Sequence, residues 1–245
     1  MKRIVFYIIF ILSIAVGCKT ADKPFTIFTV GDSTMADKKP EVYPETGWCQ
    51  VLGSLFDEKV SVSNHAVNGR STKSFIDEGR WDAVLDSLKS GDYVFIQFGH
   101  NDQKDYDLAR YTTPFGTYTE NLEKFVVEIL DKGATPILFT SIVRRKFGEY
   151  EKLIDTHGDY PVATRNVAKE MKVALIDLQN ITEKWVNSLG DEPSKEMFLW
   201  TEPTDKFPEG RKDDTHLCEK GALEVARLAM EECKKQKLPF SKHLK

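Results

Sequence analysis

The chain has 245 residues, and its 34 Lys and Arg against 38 Asp and Glu give a formal net charge of -4. That balance provides no basic stripe and excludes nucleic-acid binding. A hydrophobic share of 41% and a charged share of 29% are those of a folded protein, and the length suits one α/β domain with a full core.

Lys2 and Arg3 precede an apolar run, residues 4–17, that is too short to span a bilayer comfortably and reads as an export signal. The run ends in Ala15-Val16-Gly17-Cys18, which resembles the lipobox of bacterial lipoproteins, although Ala15 replaces the usual Leu. The expectation is a signal at 1–17, a lipid anchor on Cys18 as the one membrane attachment, a polar tether at 18–24 and a catalytic domain at 25–245. The protein would then work in the periplasm or cell envelope. An ordinary secretory signal is the alternative. Cys49, Cys218 and Cys233 remain. The helix expected between the last two spans roughly 22 Å, beyond the reach of a disulfide, so any bridge would have to include Cys49. Three small buried thiols are the other reading.

Residues 25–30, Phe-Thr-Ile-Phe-Thr-Val, read as a buried strand broken by Gly31-Asp32-Ser33-Thr34. Helical spacing of Trp48, Val51, Leu52, Leu55 and Phe56 predicts a first crossover helix over 47–56. A strand follows at 60–64, then a turn through Asn68-Gly69-Arg70-Ser71, and a helix at 81–88. Residues 93–98, Tyr-Val-Phe-Ile-Gln-Phe, are apolar on both faces except for Gln97, as a central parallel strand should be. They run into Gly99-His100-Asn101-Asp102. After a charged, tyrosine-bearing loop come a helix at 118–130, a strand at 135–141, a connection opening on Arg144-Arg145-Lys146, a helix at 162–171, a strand at 173–177 and a helix at 181–189. Residues 200–212 read as an aperiodic loop closed by Asp213-Asp214-Thr215-His216, ahead of a last helix at 219–235. Five strands alternating with helices imply a three-layer α/β/α sandwich of flavodoxin-like type with a five-stranded parallel sheet.

Acyl transfer by a serine needs a base, a group to orient the base, and donors for the oxyanion. Ser33 sits past a strand end, where open α/β sheets bind ligands. His216 can be the base and Asp213, three residues earlier, its orienting acid. The backbone N–H groups of Ser33 and Gly69 and the Asn101 side chain can serve the oxyanion. Each residue alone has a plainer reading as a turn or cap. Independent turns and caps would not be expected to supply every part of one mechanism.

Gly31-Asp32-Ser33, Gly69, Gly99-His100-Asn101-Asp102 and Asp213-x-x-His216 resemble, in order, the Ser, Gly, Asn and His blocks of the SGNH (GDSL) hydrolase superfamily. The strings Gly31-Asp32-Ser33-Thr34-Met35-Ala36 and Asn68-Gly69-Arg70-Ser71 are similar to its rhamnogalacturonan acetylesterase branch. That resemblance implies the SGNH hydrolase fold and an esterase removing O-acetyl groups from a pectic polysaccharide or oligosaccharide. It also implies Ser33, Asp213 and His216 as the triad, Ser33, Gly69 and Asn101 in the oxyanion hole, and no metal or other cofactor. Acetylesterases for xylan and other sugars share these blocks. A lipase- or thioesterase-like enzyme would need an apolar channel near Ser33, and the loops 35–46, 103–116 and 200–212 are polar. A glycan-binding lipoprotein without turnover would have no need of both Asp213 and His216. Arg144 and Arg145 follow a strand end, and their guanidinium forks match galacturonate carboxylates; the plainer reading is a solvated loop.

Overall fold

Branched and aromatic residues build five parallel strands, β1 (Phe25–Gly31), β2 (Val60–Asn64), β3 (Tyr93–Gln97), β4 (Thr135–Phe139) and β5 (Ala174–Ile176). They lie in the order β2-β1-β3-β4-β5. The structure is a computed structural model and describes residues 23–245, so the expected export signal and Cys18 lie outside the described residues.

Successive strand side chains point to opposite faces, and the sheet buries both. Ile27, Phe95, Ile137 and Phe139 enter one apolar cluster, while Phe28, Val30, Val94, Ile96 and Leu138 enter another. The second cluster is covered by α1 (Thr72–Asp77), α2 (Arg80–Ser87), α3 (Thr119–Asp131) and α4 (Tyr160–Met171). The first is covered by α5 (Leu178–Leu189) and, beyond the short α6 (Asp191–Ser194), by α7 (Glu219–Lys235). In α3 the buried set is Leu122, Phe125, Val126 and Ile129, the spacing of a single helix face. Burial of each contributes roughly 1.5–3 kcal/mol.

Three local expectations are corrected. Residues 47–56 are not an α-helix. Gln50, Leu52, Ser54 and Phe56 each donate to the carbonyl three residues back, so the segment winds as successive tight turns with one short 3-10 stretch, Leu52–Leu55. The Trp48 N–H is committed to the Thr34 carbonyl at 2.9 Å, which anchors the segment to the Ser33 turn. Its apolar spacing still serves the core, since Trp48, Leu52 and Phe56 are buried. Residues 202–210 of the expected loop carry no strand, but both its ends run into an antiparallel ribbon that was not expected, β6 (Phe198–Thr201) and β7 (Arg211–Leu217), which also takes in the acidic doublet and His216. Helix α1 was not expected; Ser71 and Ser74 start it by exchanging side-chain and backbone hydrogen bonds in a capping box. Cys49, Cys218 and Cys233 are free thiols.

The crossover from β1 to β2 packs on the α5–α7 face and that from β2 to β3 on the other. The direction of winding therefore reverses between β1 and β3, which is where a doubly wound sheet opens a crevice. Gly31 pairs with Gln97 across these strands. Ser33 and Gly99 accordingly follow at the same level, two residues past each strand end.

Candidate active site

The turn carrying Ser33 is held by a buried chain of donors. Trp48 Nε1 donates to Gln97 Oε1 at 3.1 Å, Gln97 Nε2 donates to Thr34 Oγ1 at 2.7 Å, and Thr34 Oγ1 donates to Asp32 Oδ1 at 2.8 Å. The one polar residue of the central strand is thus the link that ties the turn to the sheet. Gly31 is needed because a Cβ there would stand 2.5 Å from the Gln97 carbonyl oxygen. Asp32 is fully buried, and burial raises its pKa despite the bonds from Thr34.

His216 reaches this turn from the ribbon. Its Nε2 is 2.8 Å from Ser33 Oγ, and its Nδ1 is 2.7 Å from Asp213 Oδ2. A carboxylate only accepts, so Nδ1 carries the proton and Nε2 accepts from the serine hydroxyl. In a regular strand, residues three apart face opposite sides. Here Leu199 pairs with Asp213 but Phe198 pairs with Leu217, which leaves residues 214–216 as an irregular bulge. Asp213 Oδ1 accepts from the N–H groups of Thr215 and His216 at 2.8 and 3.0 Å. That turn swings the imidazole back over its own carboxylate. Burial would raise the Asp213 pKa, but the bond and charge of His216 and the two backbone donors outweigh it and hold the carboxyl well below its usual range.

The candidate oxyanion donors gather on the same edge. The N–H groups of Ser33 and Gly69 make no hydrogen bond among the described residues. Gly69 has φ +77, a conformation that favours glycine. Asn101 Nδ2 donates to the Arg70 carbonyl at 3.0 Å, and its Oδ1 accepts from Lys104 Nζ at 2.9 Å. These bonds fix which end of the amide is the donor and leave its second N–H uncommitted. Lys38, which the sequence did not single out, bonds Asn68 Oδ1 at 2.7 Å and Glu45 at 2.9 Å, and Glu45 also holds Arg211 at 2.7 Å. This buried network joins the loop of Gly69 to the start of β7. Breaking such a pair from one side typically costs about 3–5 kcal/mol.

Behind Asn101, the buried rings of His100 and His157 meet with Nδ1 and Nε2 2.9 Å apart. Burial, followed by the Arg144 charge, pushes His157 down to about 3, and burial holds His100 well below its usual value. The folded state keeps His157 neutral where the unfolded chain binds a proton, so its contribution is present above about pH 6.5 and is lost as pH falls toward 3. His157→Gln keeps a nitrogen near the Nε2 position but removes this titration. The destabilisation it causes should therefore shrink by about 1.4 kcal/mol per pH unit between about pH 6 and pH 4, measured by urea unfolding. An equal destabilisation at both ends would contradict a buried neutral pair.

Arg144 and Arg145 do not stand free in a groove as expected. Arg145 is 5% exposed, bonded to Asp191 at 2.8 Å, near Asp214 at 3.4 Å and stacked on Trp200. Both its terminal nitrogens are engaged by Asp191, and it holds α6 to the ribbon. Arg144 turns inward to Thr156 and the His100 carbonyl, and the Gln103 amide oxygen, facing it, accepts at 2.7 and 2.8 Å. Asp214 Oδ1 accepts from Trp200 Nε1 at 2.8 Å, so of the acidic doublet it is Asp213 that meets His216. Among the described residues, no group of three or more His, Cys, Asp or Glu is arranged to hold a metal ion.

Known proteins carry this arrangement into a family. The GDSL-like Lipase/Acylhydrolase family matches residues 29–222. Rhamnogalacturonan acetylesterase RhgT of Bacillus subtilis is 44% identical over 91% of this chain and 95% of its own length. Probable rhamnogalacturonan acetylesterase YesY of the same organism is 35% identical over 89% and 93%. The solved structure of Bacillus subtilis YxiM superposes with a TM-score of 0.74 at 27% identity, covering 89% of this chain and 58% of that one. Axe2, an acetylxylan esterase from Geobacillus stearothermophilus, superposes with a TM-score of 0.63 over 89% of this chain and 96% of that one, and at 16% identity it shows the shared fold alone. Since the family match runs from the strand ahead of Ser33 to the helix behind His216, this chain belongs to the GDSL-like lipase/acylhydrolase family.

Proposed function

We propose that the protein is a serine esterase that removes O-acetyl groups from pectic rhamnogalacturonan. The observation that carries the chemistry is the unbroken line from Asp213 Oδ2 through His216 to Ser33 Oγ, with contacts of 2.7 and 2.8 Å. The substrate reading is supported by the 44% identity to RhgT over nearly the whole of both chains.

Ser33 Oγ attacks the acetyl carbonyl while its proton passes to His216 Nε2, and Asp213 stabilises the imidazolium that forms. The N–H groups of Ser33 and Gly69 and the Asn101 amide receive the oxyanion. Collapse of this tetrahedral adduct breaks the ester bond, and His216 returns the proton to the departing sugar hydroxyl. Water then attacks the acetyl-serine, giving its proton to His216, and acetate leaves as the serine is restored. No step requires a metal.

Lys104 and Arg144, both half-buried, stand at the loop of Asn101, and a fatty acyl chain laid there would have to strip charged groups of water. p-Nitrophenyl acetate should accordingly be turned over with a kcat/KM at least about tenfold above the octanoate ester, one desolvation cost of roughly 1–2 kcal/mol. A preference for octanoate would favour a lipase-like acylhydrolase instead.

A further inference from the structure

The whole chain is acidic, with a net charge of -4, yet the segments that leave β3 and β4 each bring a cation, Lys104 and Arg144, up to the loop of the candidate oxyanion donor Asn101. Lys104 Nζ bonds the neutral Asn101 amide. Arg144 bonds Thr156, His157 and the His100 carbonyl. Neither has an ion pair among the described residues. Burial, then the charges of Arg110 and Arg144, push the Lys104 pKa down against the opposing pull of Asp107 and Asp32.

Arg110 is the one with an acidic partner, and that partner fixes its aim. Asp107 Oδ2 takes Nε at 2.6 Å and Nη2 at 2.5 Å. Nη1 is left without a protein partner among the described residues. It lies 3.6 Å from the point a Cβ would occupy on Gly69, directly against the turn that supplies an oxyanion donor. The side chain is 30% exposed. A guanidinium held in place by one carboxylate, with a free N–H edge and an unneutralised ammonium nearby, is built to receive a second carboxylate.

We propose that Arg110, through Nη1 and with the field of Lys104, is a subsite for a uronate carboxylate of the substrate. The inference rests on the rhamnogalacturonan reading, in which galacturonate alternates with rhamnose, and it moves carboxylate recognition from Arg144 and Arg145 to Arg110, beside the Gly69 turn. An exposed contact of this kind weakens with salt, because such charges are screened within about 10 Å at 0.1 M.

The test compares acetate release from an acetylated galacturonate-rhamnose oligosaccharide with free carboxylates and from the same oligosaccharide methyl-esterified. The wild type should favour the free acid in kcat/KM by about tenfold, as loss of one charge-assisted contact implies, and the preference should fall as salt is raised. Arg110→Gln should bring the ratio near one, and Arg110→Lys should retain part of it. Lys104→Gln should lower the same ratio and gives an independent reading should the arginine variants fold poorly. An unchanged ratio in both Gln variants would overturn the subsite, as would equal losses on both substrates. A wild type that releases acetate without any preference would overturn it too. Absence of acetate release from either form by the wild type would instead remove the rhamnogalacturonan reading, and the subsite with it.

Discussion

Ser33→Ala should lower kcat on acetyl esters by on the order of 10³-fold or more, while unfolding free energy shifts by less than about 1 kcal/mol. The two effects separate because Ser33 Oγ bonds only His216 Nε2 among the described residues, whereas the turn itself is held by Asp32, Thr34 and Gln97. Alanine leaves that scaffold intact and takes away the attacking oxygen. A residue of catalysis should survive, since the oxyanion donors and the imidazole remain to act on water. Steady-state kinetics and urea unfolding on the same preparation check both halves. Turnover like that of the wild type would rule out a serine mechanism at this position.

Asp213→Asn should cost on the order of 10³- to 10⁴-fold in kcat, and Asp214→Asn less than about tenfold. The asymmetry follows from what each carboxylate oxygen accepts. Asp213 Oδ1 takes two backbone N–H groups, from Thr215 and His216, so an asparagine must place its oxygen there. Its NH₂ then occupies the Oδ2 position and donates to His216 Nδ1. That forces the ring proton onto Nε2, where it faces the serine hydroxyl and cannot accept from it. Asp214 only receives the Trp200 indole and borders Arg145, and an amide oxygen can replace it. Kinetics of the two variants side by side decide the matter, and a larger loss in Asp214→Asn would contradict the assignment of the orienting acid.

The sequence exposed those parts of the molecule whose signal is local. Alternating apolar pairs in 25–31 and 93–97 locate the central strands because each strand is buried on both faces, and the 219–235 helix shows a clean inward face through Ala222, Val225, Ala226 and Ala229. Parts of the hydrogen-bonded line Ser33–His216–Asp213 were legible for the same reason, because Ser33 follows a strand end and Asp213 and His216 lie three residues apart. Side-chain direction is not local. Nothing in Arg144-Arg145-Lys146 shows that Arg145 turns under Trp200 toward Asp191 and Asp214, contacts 46 and 69 residues away along the chain. Strand β7 escaped notice because its residues serve the site rather than a core, so they lack period-2 alternation, and the bulge at 214–216 would have broken any such pattern. The 47–56 segment misled because apolar residues three and four apart suit a run of tight turns as well as an α-helix. Arg110 gave no signal at all, since its aim is set by Asp107 and by the bare Gly69 turn, which only the fold brings together.

The most direct measurement is acetate liberated from acetylated rhamnogalacturonan and from acetylated xylan by the wild type and by Ser33→Ala under the same conditions. The wild type should release acetate from rhamnogalacturonan with the higher kcat/KM, and Ser33→Ala should release almost none from either. Release from xylan alone, or equal release by the Ser33 variant, would contradict a serine acetylesterase acting on pectin.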